Sequence, residues 1–440
     1  MAVEQDAGLH PVHDTAVCAR VRASLAAIQA EMIAFLQGLV RIPTENPPGR
    51  AYPECAAFAG TWLERLGYEV RYVAVPDDQL AVLAPHGQGL PRVNVLARLS
   101  GVDERPVLHF NGHIDVVPAG DGWSVDPFGG TIREGRIFGR GVSDMKGGIA
   151  AQVYAVEALR RAGFRLRGTV EHSLVTDEES TGNRNAGTGY LVEQGYIGPG
   201  RIDYVIITEP LEVDNICLGH RGTIQGAIET LGRQAHGAMP ERGVNAIEKM
   251  ALALAAIERD LKPLLRERRS SLCIIPDSAS GSSVTAGTIA GGTSTNTVAA
   301  HCRVTFDRRL VENETIAGAR AEMLAIFDRL AAEDPDFLYR YHESYATDPV
   351  WVGTETRAGA AFAEAIRAVL GREPRLVCSP GTDDQRFVVR AGINECIVYG
   401  PGEIRQTHVV DESLALDDLR VSAEVMALAA LDLLGYGQET

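Results

Sequence analysis

Apolar runs of strand length alternate along this chain with segments of helical periodicity, and that alternation limits the fold more than any other feature. Strands are expected in "YEVRYVAV" (68–75), "RVNVLARL" (92–99), "PVLHFNGHIDVV" (106–117), "VEHSLVT" (170–176), "DYVIIT" (203–208) and "ECIVYG" (395–400). Helices are expected over 21–42, 52–67, 147–163 and 359–371, where apolar residues recur at helical spacing. The prolines of "PTENPPG" stop the first helix and Gly67 closes the second. Strands taking turns with helices predict an α/β fold in which a mostly parallel sheet is sandwiched by helices.

Between residues 220 and 347 the texture changes. "GTIQGAIETLGRQAHG", a helix in "VNAIEKMALALAAIERDL", the glycine-broken "DSASGSSVTAGTIAGGTSTNT", "HCRVTFDRRL" and a helix in "TIAGARAEMLAIFDRLAAE" read as two strands, a helix, two strands and a helix. This predicts an α+β domain inserted at 220–347 between 1–219 and 348–440 of a larger one.

Charge narrows the partners. With 42 basic and 58 acidic residues the formal net charge is -16, which opposes unaided binding to nucleic acid or anionic lipid and favours a small metabolite or peptide. Seven cysteines without a C-x-x-C pair predict buried small hydrophobes in a reducing compartment. "MAVEQDAGLHPVHDTAVCAR" lacks a basic segment followed by an apolar one, and no later stretch reads as an uninterrupted membrane span, so the cytoplasm is expected. There is no G-x-x-x-x-G-K-[ST], and "GRGVSD" lacks the third glycine of a dinucleotide fingerprint, which disfavours phosphate handling.

In open α/β sheets ligands gather beyond the carboxyl ends of the strands. There the chain places His113 and Asp115, Glu178 and Glu179, Glu209 and His408, with Asp144 just before a helix. Taken singly, Asp144 would be a helix cap, the glutamate pair a solvated charge run and His408 a loop histidine. Together, two imidazoles and several carboxylates from separate loops are what a pair of divalent ions needs, with Asp144 the candidate bridge.

"GHIDVVPAGDGW" (112–123), "GRGVSDMKGGIAA" (139–151), "TDEESTG" (176–182), "TEP" (208–210), "QAHGAMPERGVNAI" (234–247), "NTVAAHCRVTFDRRL" (296–310), "GTDDQRF" (381–387) and "THVVDES" (407–413) resemble, in that order, the metal-dependent hydrolase family of acetylornithine deacetylase, succinyl-diaminopimelate desuccinylase, aminoacylase and glutamate carboxypeptidase. The resemblance runs from about residue 30 onward. It implies a zinc-peptidase-like catalytic domain carrying a ferredoxin-like lid and dimerisation domain. It further implies two divalent ions, zinc or else cobalt or manganese, with His113 and Glu209 on one, Glu179 and His408 on the other, and Asp144 between, followed by a cis peptide.

By the same resemblance Glu178 is the general base that takes a proton from a water held between the ions, and Asp115 is a carboxylate steadying His113 through its other ring nitrogen. His236 is a donor to the tetrahedral oxygen, contributed by the partner subunit of a homodimer. Arg221, Asn296, Arg309 and Thr382 grip a substrate carboxylate, with Arg308 a rival to Arg309 because neighbours on a strand face opposite ways. The implied reaction is cleavage of the amide C–N bond of an N-acyl amino acid or related small carboxylate. Glu209, where the aminoacylase and glutamate carboxypeptidase branches carry aspartate, leans toward the deacetylase and desuccinylase side. A di- or aminopeptidase and a hydrolytic deaminase are the alternatives on the same scaffold. A non-catalytic binding protein is disfavoured by Glu178 standing beside all five presumed ligands. The loops "STGNRNAGTGY" (180–190) and "VCSPGTDD" (377–384) depart from the family pattern and are expected to border the substrate pocket.

Overall fold

A computed structural model describes residues 14–180 and 184–438. The reading of the N-terminal residues up to 13, and of 181–183 in the loop after Glu179, lies outside them. The chain divides into two compact units, one formed by the segment through Leu218, Val352–Leu376 and Asp383 onward, the other by Gly219–Trp351 and Val377–Thr382.

The first unit is built on a sheet in the order Glu69–Ala74, Val93–Leu99, Thr169–Val175, Val107–His113, Tyr204–Ile207, Cys396–Val398, Asn215–His220. Parallel pairing is confined to its centre. Val107–His113 runs parallel to both Thr169–Val175 and Tyr204–Ile207, and Cys396–Val398 runs parallel to Tyr204–Ile207. The outer pairs are antiparallel. Val107–His113 and Thr169–Val175 are buried along their whole length, as strands covered on both faces must be.

Helices Thr15–Val40, Lys146–Arg161, Arg357–Leu370 and Leu416–Leu434 pack side by side over one sheet face. Glycine lets this layer approach closely: a Cβ on Gly112 would stand 2.7 Å from Cγ1 of Ile149, and one on Gly148 would stand 2.0 Å from the carbonyl oxygen of Thr208. Thr15–Val40 is by length and composition apolar enough to cross a membrane, which the sequence reading overlooked. In the fold its Val21, Leu25, Ile28, Met32, Phe35 and Leu39 are buried. The fully buried Lys146 ammonium closes the end of that helix by donating to the carbonyls of Leu39 (3.0 Å) and Ile42 (3.1 Å).

The second unit is a four-stranded antiparallel sheet in the order Ser283–Gly291, His301–Leu310, Gly222–Leu231, Leu338–Thr347. Ala246–Ala256, prolonged through a π turn at Ile257–Leu261 into Lys262–Glu267, and Ile316–Glu333 bury Met250, Leu261, Met323 and Phe327 against it. The element order is therefore strand, helix, strand, strand, helix, strand, the ferredoxin-like arrangement, rather than two strands preceding each helix. The final strand, "LYRYHESYAT", escaped notice because its open side is charged, although its aromatic residues alternate with polar ones as a half-buried strand requires. Among the described residues no cysteine forms a disulfide; six are buried as expected and Cys273 is exposed.

Candidate metal centre

Because the four central strands run the same way, their carboxyl ends lie along one edge, and the loops leaving that edge deliver the polar side chains to one place. His113 ends its strand. Its Nε2 stands 3.2 Å from Oδ1 of Asp144 and 3.4 Å from Oε1 of Glu209. His408 brings its Nε2 to 3.3 Å from the other oxygen of Asp144, Oδ2, and to 3.0 Å from Oε2 of Glu179. Each oxygen of Asp144 thus faces a different imidazole. Donor atoms of His113, Asp144 and Glu179 lie within 4.8 Å of one another, as do those of His113, Glu178 and Glu209. The seven residues from His113 to His408 singled out along the sequence all belong to the first unit. The Asp144–Met145 peptide is cis.

The donors suit divalent cations. Ligands held about 2.0–2.2 Å from one tetrahedral ion lie roughly 3.3–3.6 Å apart, close to the imidazole–carboxylate separations here. Charge argues the same way. Asp144, Glu178, Glu179 and Glu209 crowd together, and among the described residues no lysine or arginine pairs with any of them. Burial pushes the Glu179 carboxyl up to about 7 and that of Glu209 up to about 8, with Asp144 reinforcing both. The histidines respond oppositely. Hydrogen bonds to Asp144 and Glu179 raise His408 to about 11, and on His113 the pull of Glu209 and Asp144 outweighs burial and lifts it well above the ordinary value. Four acids facing two imidazoles hold more negative charge than the imidazoles can neutralise, a deficit that cations would fill.

Asp115 meets the Nδ1 side of His113 with two groups. The Nδ1 of His113 faces the backbone carbonyl of Asp115 at 2.9 Å, while the carboxylate stands 3.7 Å away. The strand has already ended at His113, so Asp115 no longer shares its face. Its oxygens also accept from the backbone N–H of Glu178 (3.2 Å) and Glu179 (3.1 Å) and from the Asn46 amide (3.0 Å), holding the glutamate loop in place. Nor does Asp144 cap the helix that follows: the cap position of Lys146–Arg161 is Met145, without a side-chain bond.

Three supporting residues went unnoticed in the sequence. Asp177 turns the chain out of its strand in left-handed backbone (φ 60) just before the glutamates. It is clamped there by Arg92 (Nε 2.8 Å, Nη2 3.2 Å), Tyr52 (3.1 Å) and Asn46 (3.1 Å). Glu412, wholly buried, accepts from the backbone of Gly141, Ser143 and Asp144 and from Arg140, and so shapes the loop that presents Asp144. A charged residue opening an apolar strand, as Arg92 does, is a local sign of a buried ion pair; Glu412 leaves no such sign. Arg92→Met is expected to lower unfolding free energy by about 3–5 kcal/mol in urea titration, because it strands the Asp177 charge without its cation. A loss below about 1 kcal/mol would contradict the clamp.

In the second unit the remaining candidates form two groups. His236 pairs with Thr297 and Gly237 N–H donates to the carbonyl of Asn296 at 2.7 Å, so His236 and Asn296 lie together. The Nδ1 of His236 accepts from the N–H of Ala238 (3.0 Å), which in the neutral ring leaves the hydrogen on Nε2. Arg221 is 5% exposed, its Nη2 donates to the carbonyl of Gly281 and its Nε has no hydrogen-bond partner among the described residues; burial and the neighbouring Arg309 hold it down to about 10. Arg309 lies on the open sheet face beside Asp307 (2.7 and 2.9 Å). Arg308 points the other way, fully buried with Glu314 and Ser282 (2.5 and 3.0 Å), which removes it as a substrate contact. Thr382 Oγ1 accepts from Tyr345 at 3.2 Å.

Residues 109–432 match the model of peptidase family M20/M25/M40. A succinyl-diaminopimelate desuccinylase of Aromatoleum aromaticum is 35% identical over 77% of this chain and 85% of its own length. Human carnosine dipeptidase 1 superposes with a TM-score of 0.76 at 19% identity, over 95% of this chain and 99% of that one. The Bacillus subtilis YXEP protein, described as a dinuclear metal binding peptidase, superposes with a TM-score of 0.64 at 17% identity, over 93% and 99%. With a family match spanning the whole set of site segments and a relative this similar over most of both chains, the protein belongs to peptidase family M20/M25/M40, hydrolases of amide bonds.

Proposed function

We propose that the protein is a dinuclear metal-dependent amidohydrolase that cleaves the amide C–N bond of an N-acyl amino acid, of the desuccinylase or deacetylase kind. The observation that carries this reading is the division of Asp144, one oxygen toward His113 and the other toward His408. His113 and Glu209 would hold one ion, Glu179 and His408 the second, with Asp144 shared, and zinc is the metal this nitrogen and oxygen set suits, with cobalt and manganese as substitutes. Bound there, the ions supply Lewis acidity toward the acyl carbonyl and make water easier to deprotonate.

Glu178, the remaining carboxylate of the cluster, accepts the proton of the attacking water and returns it to the leaving nitrogen. Arg221 and Arg309, the second close enough to help hold down the first, bind the substrate carboxylate with help from Asn296 and Thr382. His236 presents an Nε2 hydrogen to the tetrahedral oxygen, in our reading from the second copy of a homodimer joined through the inserted domain. The setting is the cytoplasm.

The test is metal analysis joined to a turnover panel. The chain is expected to bind close to two zinc, cobalt or manganese ions, to lose activity in chelator and regain it with metal, and to favour N-succinyl or N-acetyl amino acids over dipeptides and aryl amines. Turnover that survives complete metal removal would overturn the reading, and a preference for dipeptides would turn it into a peptidase.

A further inference from the structure

The sheet face that carries His113 continues inward as a file of polar side chains which the proposed chemistry leaves unused. His109, Asn111 and His113 alternate along Val107–His113, and Glu171 and Ser173 lie opposite His109 and Asn111 on the neighbouring strand. The Asn111 amide donates to Ser173 Oγ (2.9 Å) and to Thr188 Oγ1 (2.8 Å). Thr188 Oγ1 reaches Asp384 Oδ2 at 2.6 Å, and Asn185 holds the other oxygen at 3.1 Å. On the opposite side Ser173 Oγ lies 2.8 Å from His109 Nε2, and His109 Nδ1 lies 3.4 Å from Glu171 Oε2. Arg98 (2.5 Å) and Arg201 (3.1 Å) close that end on Glu171.

The hydrogens of this chain have one arrangement that satisfies every group. A carboxylate stands at each end and can only accept, so Thr188 gives its hydrogen to Asp384 and Ser173 gives its own to His109, whose Nδ1–H then faces Glu171. Both hydroxyl oxygens are left to accept from the two hydrogens of the single Asn111 amide. The order Ser173, His109, Glu171 is that of a nucleophile, base and acid, but Ser173 and His109 are fully buried and Ser173 is already an acceptor, so no substrate reaches it. An apolar residue at 111 would fill the core at no desolvation cost. A buried amide spanning two hydroxyls instead fixes geometry.

We propose that this hydrogen-bonded chain is a positioning device: Asn111, Ser173 and Thr188 tie the buried carboxylate of Asp384 to the strand that ends at His113, and so set the surroundings in which His113 and Glu178 work. Asp384 is 1% exposed, and through Thr188 and Asn111 it is tied to the strand that ends two residues on at His113. The inference rests on the amidohydrolase reading, and the test separates the two. Thr188→Val keeps shape and removes the bond to Asp384; Thr188→Ser keeps the hydroxyl; Asn111→Asp reverses the central donor.

With the best substrate of the N-acyl panel, Thr188→Val is expected to lower kcat roughly ten- to a hundred-fold with KM, metal content and Tm near wild type, the scale of one lost hydrogen bond to a charged group. Thr188→Ser should recover most of the loss, and Asn111→Asp should resemble Thr188→Val. The cobalt-loaded protein gives a second readout, in which the visible Co(II) spectrum or the cobalt isotherm shifts for valine and returns for serine. Wild-type kcat and spectrum in Thr188→Val, or a loss that follows Tm and is not restored by serine, would overturn the device. If the wild-type chain cleaves nothing in the panel, the hydrolase reading fails, and the cobalt comparison of valine with serine still decides the positioning.

Discussion

Glu178→Gln is expected to lower kcat by about 10²–10⁴ while leaving two metals bound, the range measured for removal of a positioned general base. The amide keeps the shape and the hydrogen-bonded backbone of the glutamate loop, since it is the N–H of residue 178 that Asp115 holds. What it loses is the capacity to take a proton. Burial, then the charges of Glu209, Asp384 and Glu179, outweigh the pull of His113 and push the Glu178 carboxyl well above the ordinary range, toward the basicity a proton shuttle needs. Removing one member of a crowded acidic cluster also relieves repulsion, so Tm should stay level or rise. Activity within tenfold of wild type, or metal lost in parallel with activity, would show that Glu178 is not the base.

Asp144→Ala should have the larger effect on composition: metal content falling from near two ions per chain to below one, with turnover at background. Asp144 is the carboxylate that meets both imidazoles, and the two histidines hold its carboxyl below the usual range against the burial that opposes its ionisation. Because Met145 and not Asp144 occupies the cap position of the following helix, helix content by circular dichroism should not change. A variant that still binds two ions would remove the bridge and with it the division of ligands proposed above. Loss of helix content would instead mean that the cap role had been misjudged.

Much of the candidate site is legible in the amino-acid sequence because its polar residues sit at the ends of apolar strands, where side chains of that type are out of place. His113 after "VLHFNG", Glu178 and Glu179 after "VEHSLVTD" and Glu209 after "YVIITE" are readable one strand at a time. The support is not. Asp115 and Asp177 have their partners in Asn46, Tyr52 and Arg92, and Glu412 serves a loop 268 to 272 positions earlier in the chain. Nothing local distinguishes such acids from surface charges, since a buried charge is recognised by its partner and the partner is remote.

By itself the amino-acid order determined the period of each element, hence an α/β body with an inserted α+β segment, and the kinds of atom offered at one sheet edge. These are short-range properties, set by side-chain spacing and by what each residue type can ligate. Only the tertiary structure decided that the sheet is parallel at its centre alone, that Arg308 turns into the second unit's core while Arg309 faces out, and that Asp115 holds the glutamate loop as well as facing an imidazole. Each of these depends on strand register or on where a strand stops. A shift of one residue turns every side chain to the opposite face, and the choice between the two is made by contacts far away in sequence.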